Sequence, residues 1–474
     1  MPPPLAGATL VSSETATVPD APAAPPSGLQ FAASLASIFG PLNSTMIAVA
    51  LPAIRSDFHI GVGALTWLIS SYLIAVAVAQ PASGRLGDAF GHLRIVQLGL
   101  VVLLVFSVAA VFAWNFPSLV VMRSLQGLAA ALTMPNVLAY LRKNVEPERL
   151  GSVLGINGAA VSAGAALGPV LGGVLLLFGG WQLLFLANVA PALLTLWMLM
   201  RLKPDAGQGR KALVIDVPSL AALATALTGI SLIGSAFKLH SPLLTTVGWV
   251  MFPLGIAVYL VSYRIRKSGV VDLHLFTRRN YAVTSAGVAL SNLLMYTTLV
   301  AMPVYLSENR HLSDAVVGLC VFAISAALVG VSPIAGRASD RVGRRPPVFV
   351  GAIASLAGVA GLTLGVDAGP IAVIVVLLLV IGFGTGLASV PQQSAALQAW
   401  PTRMAGSASG TYSMMRYVGS ISGTAMIAAV LGSHPATRDF QLVFGILIAF
   451  GVLNALVSLL LIPPATLEAV SVAA

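Results

Sequence analysis

Fourteen long apolar stretches divide the chain, at roughly 31–54, 64–83, 94–113, 117–140, 150–177, 181–200, 217–237, 245–263, 281–306, 314–335, 346–366, 370–396, 404–431 and 440–462. A bilayer span needs about 20 mostly apolar residues. Most of these stretches are too long and too continuous to be buried strands. Open sheet edges cannot be satisfied in hydrocarbon, so the stretches read as helices. A membrane barrel would instead show strands of about 10 residues with alternating polarity, and no such alternation is visible. The 474 residues are 57% hydrophobic and only 8% charged. A soluble domain carries about 25% charged residues, so a single water-soluble globule is excluded. Residues 1–30 differ, being rich in Pro, Ala, Ser and Thr with no Lys or Arg. Without a basic leader they do not read as a secretory signal. They are expected to form a disordered cytoplasmic tail, and 463–474 a second cytoplasmic tail.

The net charge of +10 would suit a nucleic-acid partner, but the positions of the charges point elsewhere. With the amino terminus inside, nineteen of the 25 Lys and Arg residues fall in cytoplasmic loops or at their edges. Four fall outside (Arg55, Lys238, Arg310 and Arg438), and two, Arg123 and Arg416, lie within spans. This is the positive-inside pattern, which places both termini in the cytoplasm. Nucleic acid is therefore not an expected partner; the lipid bilayer is. The one cysteine, Cys320, rules out a disulfide framework, and the six histidines lack ligand spacing, so no metal or other cofactor is expected.

Two loops share the pattern G-R-x-x-D-x-x-G followed by basic residues. One runs from Gly84, Arg85 and Asp88 through Gly91 to Arg94. The other runs from Gly336 and Arg337 through Asp340 and Gly343 to Arg344 and Arg345, 252 residues later. Both fall on the cytoplasmic side after an inward-running span. Parallel repeats of this kind mark a transporter built of two similar halves. The offset exceeds six spans by about two helices, so spans 7 and 8 read as an insertion. The glycines permit a sharp turn. Asp88 and Asp340 are placed to meet the amino-terminal end of a facing helix and an arginine there in one conformation only. The plain alternative, an ordinary charged turn, does not explain two copies at matching positions.

These residues resemble the major facilitator superfamily, and more narrowly its fourteen-span drug:proton antiporter group. Gly84 to Arg94 resembles the superfamily's loop signature, with Ala89 and His92 where basic residues are usual. Leu119 to Gly127, with Arg123 and Gln126, resembles the fourth-helix motif. Gly164, Gly168, Pro169, Gly172 and Gly173 resemble the fifth-helix motif common in exporters, and Asp272-Leu273-His274-Leu275-Phe276 resembles the segment after the inserted pair. The resemblance implies an all-α polytopic membrane protein of the major facilitator fold, with fourteen transmembrane helices. They would form a six-helix bundle at 31–200, an inserted pair with cytoplasmic linkers at 201–280, and a second six-helix bundle at 281–462. It also implies export of drugs or metabolites across the cell (inner) membrane, antibiotic resistance among the outcomes, and proton antiport. The spacing near four of Gly164, Gly168, Gly172 and Gly173 places them on one helical face for close packing, and Pro169 permits a bend that suits rocking.

One position departs from the family's pattern in a way that bears on mechanism. The first-helix motif reads Leu42-Asn43-Ser44-Thr45, with Asn43 where the group carries aspartate. An asparagine does not exchange a proton. All fifteen acidic residues fall in tails, loops or helix ends, whereas proton relays usually use intramembrane Asp, Glu or His. Coupling to protons is therefore open, with uncoupled export the alternative. Candidate substrate contacts are the polar and aromatic residues of pathway helices: Asn43, Thr45, Arg123, Gln126, Asn136, Asn157, Ser291, Asn292, Tyr296, Gln392, Tyr412 and Arg416. Hydrogen bonding between helices would employ each of them equally well. Arg123 and Arg416 would attract an anionic metabolite or lipid, or else tie helices together. Gly84, Arg85, Asp88, Gly91, Arg94, Gly164, Gly168, Pro169, Gly172, Asp340 and Arg344 are the expected gating residues.

No nucleophile, base or metal cluster suggests an enzyme, and no Walker motif suggests an ATP-driven pump. A small-molecule exporter, expected to work as a monomer, and a non-transporting membrane sensor remain as the two readings.

Overall fold

The computed structural model describes residues 27–461, apart from 206, 208, 210–215, 240, 267–268, 366–368, 402–403 and 433–434. Most of the expected amino-terminal tail and all of 463–474 lie outside the described residues, as do parts of the expected linkers. Helix α1 (Ser27–Phe58) begins inside the stretch expected to be tail.

The described residues form helices joined by short turns. The first half comprises α1, the single turn α2 (Val62–Leu65) leading into α3 (Trp67–Phe90), α4 (His92–Val111), α5 (Phe116–Asn144), α6 (Pro147–Phe178), and the short α7 (Gln182–Leu186) leading into α8 (Val189–Met200). An extra pair follows, α9 (Val217–Leu239) and α10 (Pro242–Arg266). The second half comprises α11 (Arg279–Glu308), α12 (Asp314–Val342), α13 (Arg345–Gly365), α14 (Ile371–Gln398), α15 (Ala405–Val430) and α16 (Thr437–Leu459). With α2–α3 and α7–α8 each read as one span, twelve are long and apolar enough to cross a bilayer. The other two, α5 and α15, have 29 and 26 residues and carry Arg123 and Arg416.

The repeat governs the whole architecture. The offset of 252 that relates the two loops also carries the end of α3, Phe90, onto that of α12, Val342, and the end of α6, Phe178, onto that of α15, Val430. Gly91 and Gly343 are equivalent under the same shift, and both take positive φ, 97° and 81°. That is the left-handed region which glycine enters without penalty, so glycine is required where α3 turns into α4 and α12 into α13. The motif is otherwise less of a loop than its sequence suggests. Gly84 to Phe90 are the last two turns of α3, and Gly336 to Val342 the last two of α12.

Residues on a pseudo-twofold axis touch their own equivalents. Ser44 of α1 and Tyr296 of α11, 252 apart, share a hydrogen bond at 3.0 Å. The axis therefore runs between α1 and α11. Toward the ends of these helices Arg55 pairs with Glu308. On the same side Ser70 of α3 bonds Thr424 of α15 at 2.8 Å, and α6 packs along α12. A Cβ placed on Gly318 would come within 2.6 Å of the Pro169 carbonyl oxygen, and one on Gly173 within 3.0 Å of that of Asp314. The halves are thus closed at this end, called here the far end. Toward the end bearing the two loop motifs, the motif end, the equivalent helices α5 and α14 do not pack on one another, and the Asp88 side chain is 54% exposed.

One expectation about α6 is corrected. Its four glycines do not share a face. Gly164, Gly168 and Gly172 lie against Ile38, Thr45 and Met46 of α1 in the same half, whereas Gly173 lies against α12 in the other. One residue is about 100° of helix, so adjacent glycines serve opposite neighbours. The inserted α9 packs on α10, α15 and α3, with Trp67 Nε1 donating to Ser235 Oγ at 2.8 Å. The segment 273–277 forms a short 3-10 turn capped by Asp272, and Trp400 Nε1 donates to the Leu275 carbonyl at 3.1 Å, which ties the segment to the second half.

Candidate functional site

Arg123 is completely buried in the middle of the first half. Its Nη1 donates to Gln126 Oε1 at 2.9 Å and to Asn43 Oδ1 at 3.0 Å, and its Nε reaches the Leu68 carbonyl at 3.4 Å. Asn43 and Gln126 are joined at 3.5 Å, and Gln126 Nε2 donates to Ser107 at 3.1 Å. The guanidinium stacks over Tyr72, 4.5 Å from its ring centre. Two neutral amides thus surround the cation, and no carboxylate pairs with it among the described residues. An arginine within hydrocarbon costs about 2.5–3.5 kcal/mol on insertion scales. Amides and an aromatic face offset part of that cost without cancelling the charge. Nη2 is left with no partner among the described residues.

The second half answers with Arg416 on α15. It lies in electrostatic reach of Tyr296, Tyr412 and Tyr417, and Tyr72 in turn lies in reach of Tyr296 and Tyr417. Arg416 Nε and the Tyr412 hydroxyl are buried without partners among the described residues. The result is a polar seam across the axis: Arg123 and Tyr72 from one half, Arg416, Tyr296 and Tyr417 from the other, with Ser44 bonded to Tyr296 between them. Unpaired N–H and O–H donors and two uncompensated cations suit an anionic or electron-rich polar group.

Of the other expected contacts, several lie elsewhere. Thr45 donates its hydroxyl proton to backbone carbonyls, Ala165 of α6 and Pro41 both standing at 3.0 Å, and packs against the glycine face. Asn136 is at the motif end: its Nδ2 donates to the Ser83 and Leu132 carbonyls at 3.1 and 2.8 Å, and its Oδ1 faces the His92 ring at 2.8 Å. Ser291 accepts from Asn454 at 3.1 Å beside Gln392. Asn292 donates to the Val288 carbonyl at 2.9 Å. Asn157 is 2% exposed, with an unpartnered Oδ1. Asn43, Arg123, Gln126, Tyr296 and Arg416 are the expected residues that the seam brings together, whereas Tyr412 packs inside the second half with Leu275, Tyr281 and Trp400. Ser44, Tyr72 and Tyr417 join the seam from outside the set of candidate contacts. For Ser44 the signal was present, because its partner Tyr296 stands at the repeat offset.

The motif end shows a second arrangement. Asp88 does not meet an arginine of a facing helix; its carboxylate lies 3.3 Å from His92 Nε2. Arg94 is exposed, Arg344 donates to Gln398, and among the described residues Asp340 forms no ion pair within 4 Å. The carboxylate that does sit at a helix start is Asp205, in the linker after α8. It accepts the N–H groups of His92 and Leu93, both at 3.0 Å, with Lys143 Nζ 3.7 Å away. Burial alone would raise this carboxyl, but the two N–H groups and the neighbouring His92 ring outweigh it and hold it below the usual carboxylate range. Gly209 N–H also donates to the Ala89 carbonyl at 3.0 Å. The linker into the inserted pair is thereby strapped beneath the loop motif. No sequence pattern announced Asp205, which lies 113 residues from the helix start it caps.

The chain matches the Major Facilitator Superfamily over residues 33–424, with a further match over 284–473. It is 31% identical over 420 residues to an uncharacterized MFS-type transporter of Bacillus subtilis (strain 168), covering 88% of this chain and 92% of the relative. It is 28% identical to the tetracenomycin C resistance and export protein of Streptomyces glaucescens, covering 83% of this chain and 73% of that protein. Among solved structures it resembles a D-xylose–proton symporter, with TM-score 0.65, 16% identity and coverage of 92% and 98%. A peptide transporter solved with alafosfalin gives 0.69, 16%, and 91% and 95%.

Proposed function

The chain belongs to the major facilitator superfamily, and from that premise we propose that it exports small amphipathic molecules by alternating access between its two halves. The family works as transporters, not enzymes. The observation that carries the reading is the combination of a closed far end with a motif end where α5 and α14 stand apart. The motif end bears Arg85, Arg94, Arg142, Lys143, Arg337, Arg341, Arg344 and Arg345. By the positive-inside rule it faces the cytoplasm, as do both termini. The conformation is then inward-facing, in the cell membrane, with Asp88 and Asp340 free to engage the opposite half in the other state. Export in preference to import is supported by the fifth-helix glycine motif and by relatives such as the tetracenomycin C export protein and the multidrug resistance protein Stp of Mycobacterium tuberculosis. Proton antiport has no intramembrane carboxylate to run on, since Asn43 occupies the usual place, so the reading is of uncoupled export.

A second reading of the cargo rests on the seam. Arg123 Nη2 and Arg416 Nε are buried donors without acceptors among the described residues, Arg123 being buried and Arg416 part-exposed, and cations so placed favour an anionic ligand. Two dyes test both readings in proteoliposomes holding the full chain. Carboxyfluorescein, an anion, should leave faster than from protein-free vesicles, and Arg416→Gln should slow it about tenfold while changing ethidium flux less than twofold. If neither dye outpaces protein-free vesicles, export of amphipathic molecules is wrong. If Arg416→Gln slows both dyes alike, the preference for anions is wrong.

A further inference from the structure

His92 stands where the family pattern usually has a basic residue, and it is 2% exposed at the first turn of α4. Its protonation can be argued from its neighbours. Asn136 Nδ2 faces the carbonyl oxygens of Ser83 and Leu132, which only an N–H group can satisfy, so the amide orientation is set. Its Oδ1 therefore faces His92 Nδ1 at 2.8 Å, and Nδ1 must carry a hydrogen. The other ring nitrogen, Nε2, lies 3.3 Å from Asp88 Oδ1. A neutral ring would present a lone pair to a carboxylate there, two acceptors face to face. A second proton on Nε2 turns that repulsion into an ion pair.

The surrounding charges leave room for it. Asp88 comes from α3, Asp205 from the linker, and Lys143 from α5, 3.7 Å from Asp205. Arg85 of α3, which is part-exposed, Arg94 on α4 itself, which is exposed, and the exposed Arg201 and Lys203 after α8 are further cations of this end. From α5, Tyr140 donates its hydroxyl to the Lys203 carbonyl at 2.8 Å. The positive end of the α4 dipole, which would oppose an imidazolium, is offset by Asp205 on its first N–H groups.

We propose that His92 and Asp88 form a proton-binding site that is filled while Asp88 lies along α4 and emptied when Asp88 swings to the opposite half, so that protons on the motif side hold the protein in the conformation described here. The proposal rests on the alternating-access reading. When Asp88 leaves, the Nε2 proton passes to water at the exposed carboxylate, and the ring becomes the neutral Nδ1–H form. The proton is taken from and returned to the same aqueous side. It biases the two conformations without crossing the membrane, which requires no buried carboxylate. Imidazoles exchange protons at about pH 5–8, and linkage to one proton shifts the equilibrium at most about tenfold per pH unit.

The test uses the full chain in nanodiscs with 15N-labelled histidine, the His92 signals being those lost in His92→Gln. At pH 6 His92 should carry protons on both nitrogens, and in Asp88→Asn on Nδ1 alone. A singly protonated His92 in the unmutated protein at pH 6 overturns the site, as does an unchanged ring in Asp88→Asn. The unmutated protein decides this even if the variant fails to fold. In parallel, spin labels at Asn144→Cys and Arg345→Cys, with Cys320→Ser, report the width of the motif end. Its wide population should grow as pH falls from 8 to 5.5, and His92→Gln should flatten the response. Two distances without a pH response overturn the switch alone, whereas a single distance at every pH overturns the switch and alternating access together.

Discussion

Asp205→Asn should loosen the start of α4 and leave the rest of the helix intact. The native carboxylate accepts two backbone N–H groups at 3.0 Å and faces Lys143 at 3.7 Å. An amide keeps one acceptor oxygen but loses the other, together with the charge that complements the helix dipole. Hydrogen bonds to a charged acceptor contribute about 1.5–3 kcal/mol each. Losing one and weakening the other gives about 2 kcal/mol, or about thirty-fold in a local opening equilibrium at 1.4 kcal/mol per tenfold. Hydrogen exchange of the full chain in nanodiscs measures this directly. The His92 and Leu93 amides should exchange about thirty-fold faster in the variant, while amides near Leu100 and Leu103 should not change. The pH dependence has a definite sign. The folded carboxyl is held below its usual range, so its stabilisation is present in full above the ordinary carboxylate value of about 4. It is lost as pH falls through the depressed folded value. The difference between the two proteins should therefore persist across neutral pH and shrink only in acid. Unchanged exchange at His92 and Leu93, or a difference that fades between pH 8 and 6, would refute the assignment of Asp205 as the cap.

Two substitutions probe the helix crossings. Gly318→Leu places a side chain where a Cβ alone would come within 2.6 Å of the Pro169 carbonyl oxygen. Overpacking costs about 1–3 kcal/mol, and it falls on the far-end-closed state, so spin-label distances between Trp114→Cys and Arg438→Cys should lengthen; unchanged distances in a folded variant would count against the crossing. Gly168→Ala drives a methyl group into the Thr45 hydroxyl and should lower the unfolding midpoint, with Thr45→Ala restoring part of the loss; strict additivity of the two changes would mean that they do not meet.

The hydropathy of the chain and its repeated loop were enough to read the helical fold and the two-half plan, because both are properties of long segments. The seam was legible only in part. Arg123, Asn43 and Gln126 stand in recognisable motifs, whereas Tyr72 looks like an ordinary aromatic packing residue until the helices are brought together. Thr45 and Asn136 drew attention as polar residues in spans, yet their bonds run to neighbouring backbone and to His92. A sequence does not say which of two partners satisfies a buried amide. Gly173 was grouped with Gly164, Gly168 and Gly172 by approximate spacing, and one residue of helical rotation turned it toward the other half. Asp205 was unreadable because its partners lie across a tertiary contact that no local pattern encodes. The offset of 252 held more than it first gave: applied to Ser44 it leads to Tyr296, and so to the axis itself.

That axis provides the most direct test. Spin-label pairs at both ends of one chain in nanodiscs, Asn144→Cys with Arg345→Cys and, separately, Trp114→Cys with Arg438→Cys, give the width of each end. Two halves rocking about the Ser44–Tyr296 contact should yield two populations at each end, and conditions that shift one end toward its shorter distance should shift the other toward its longer one. Widths that rise and fall together, or a motif end that stays open while the far end opens, would contradict the account.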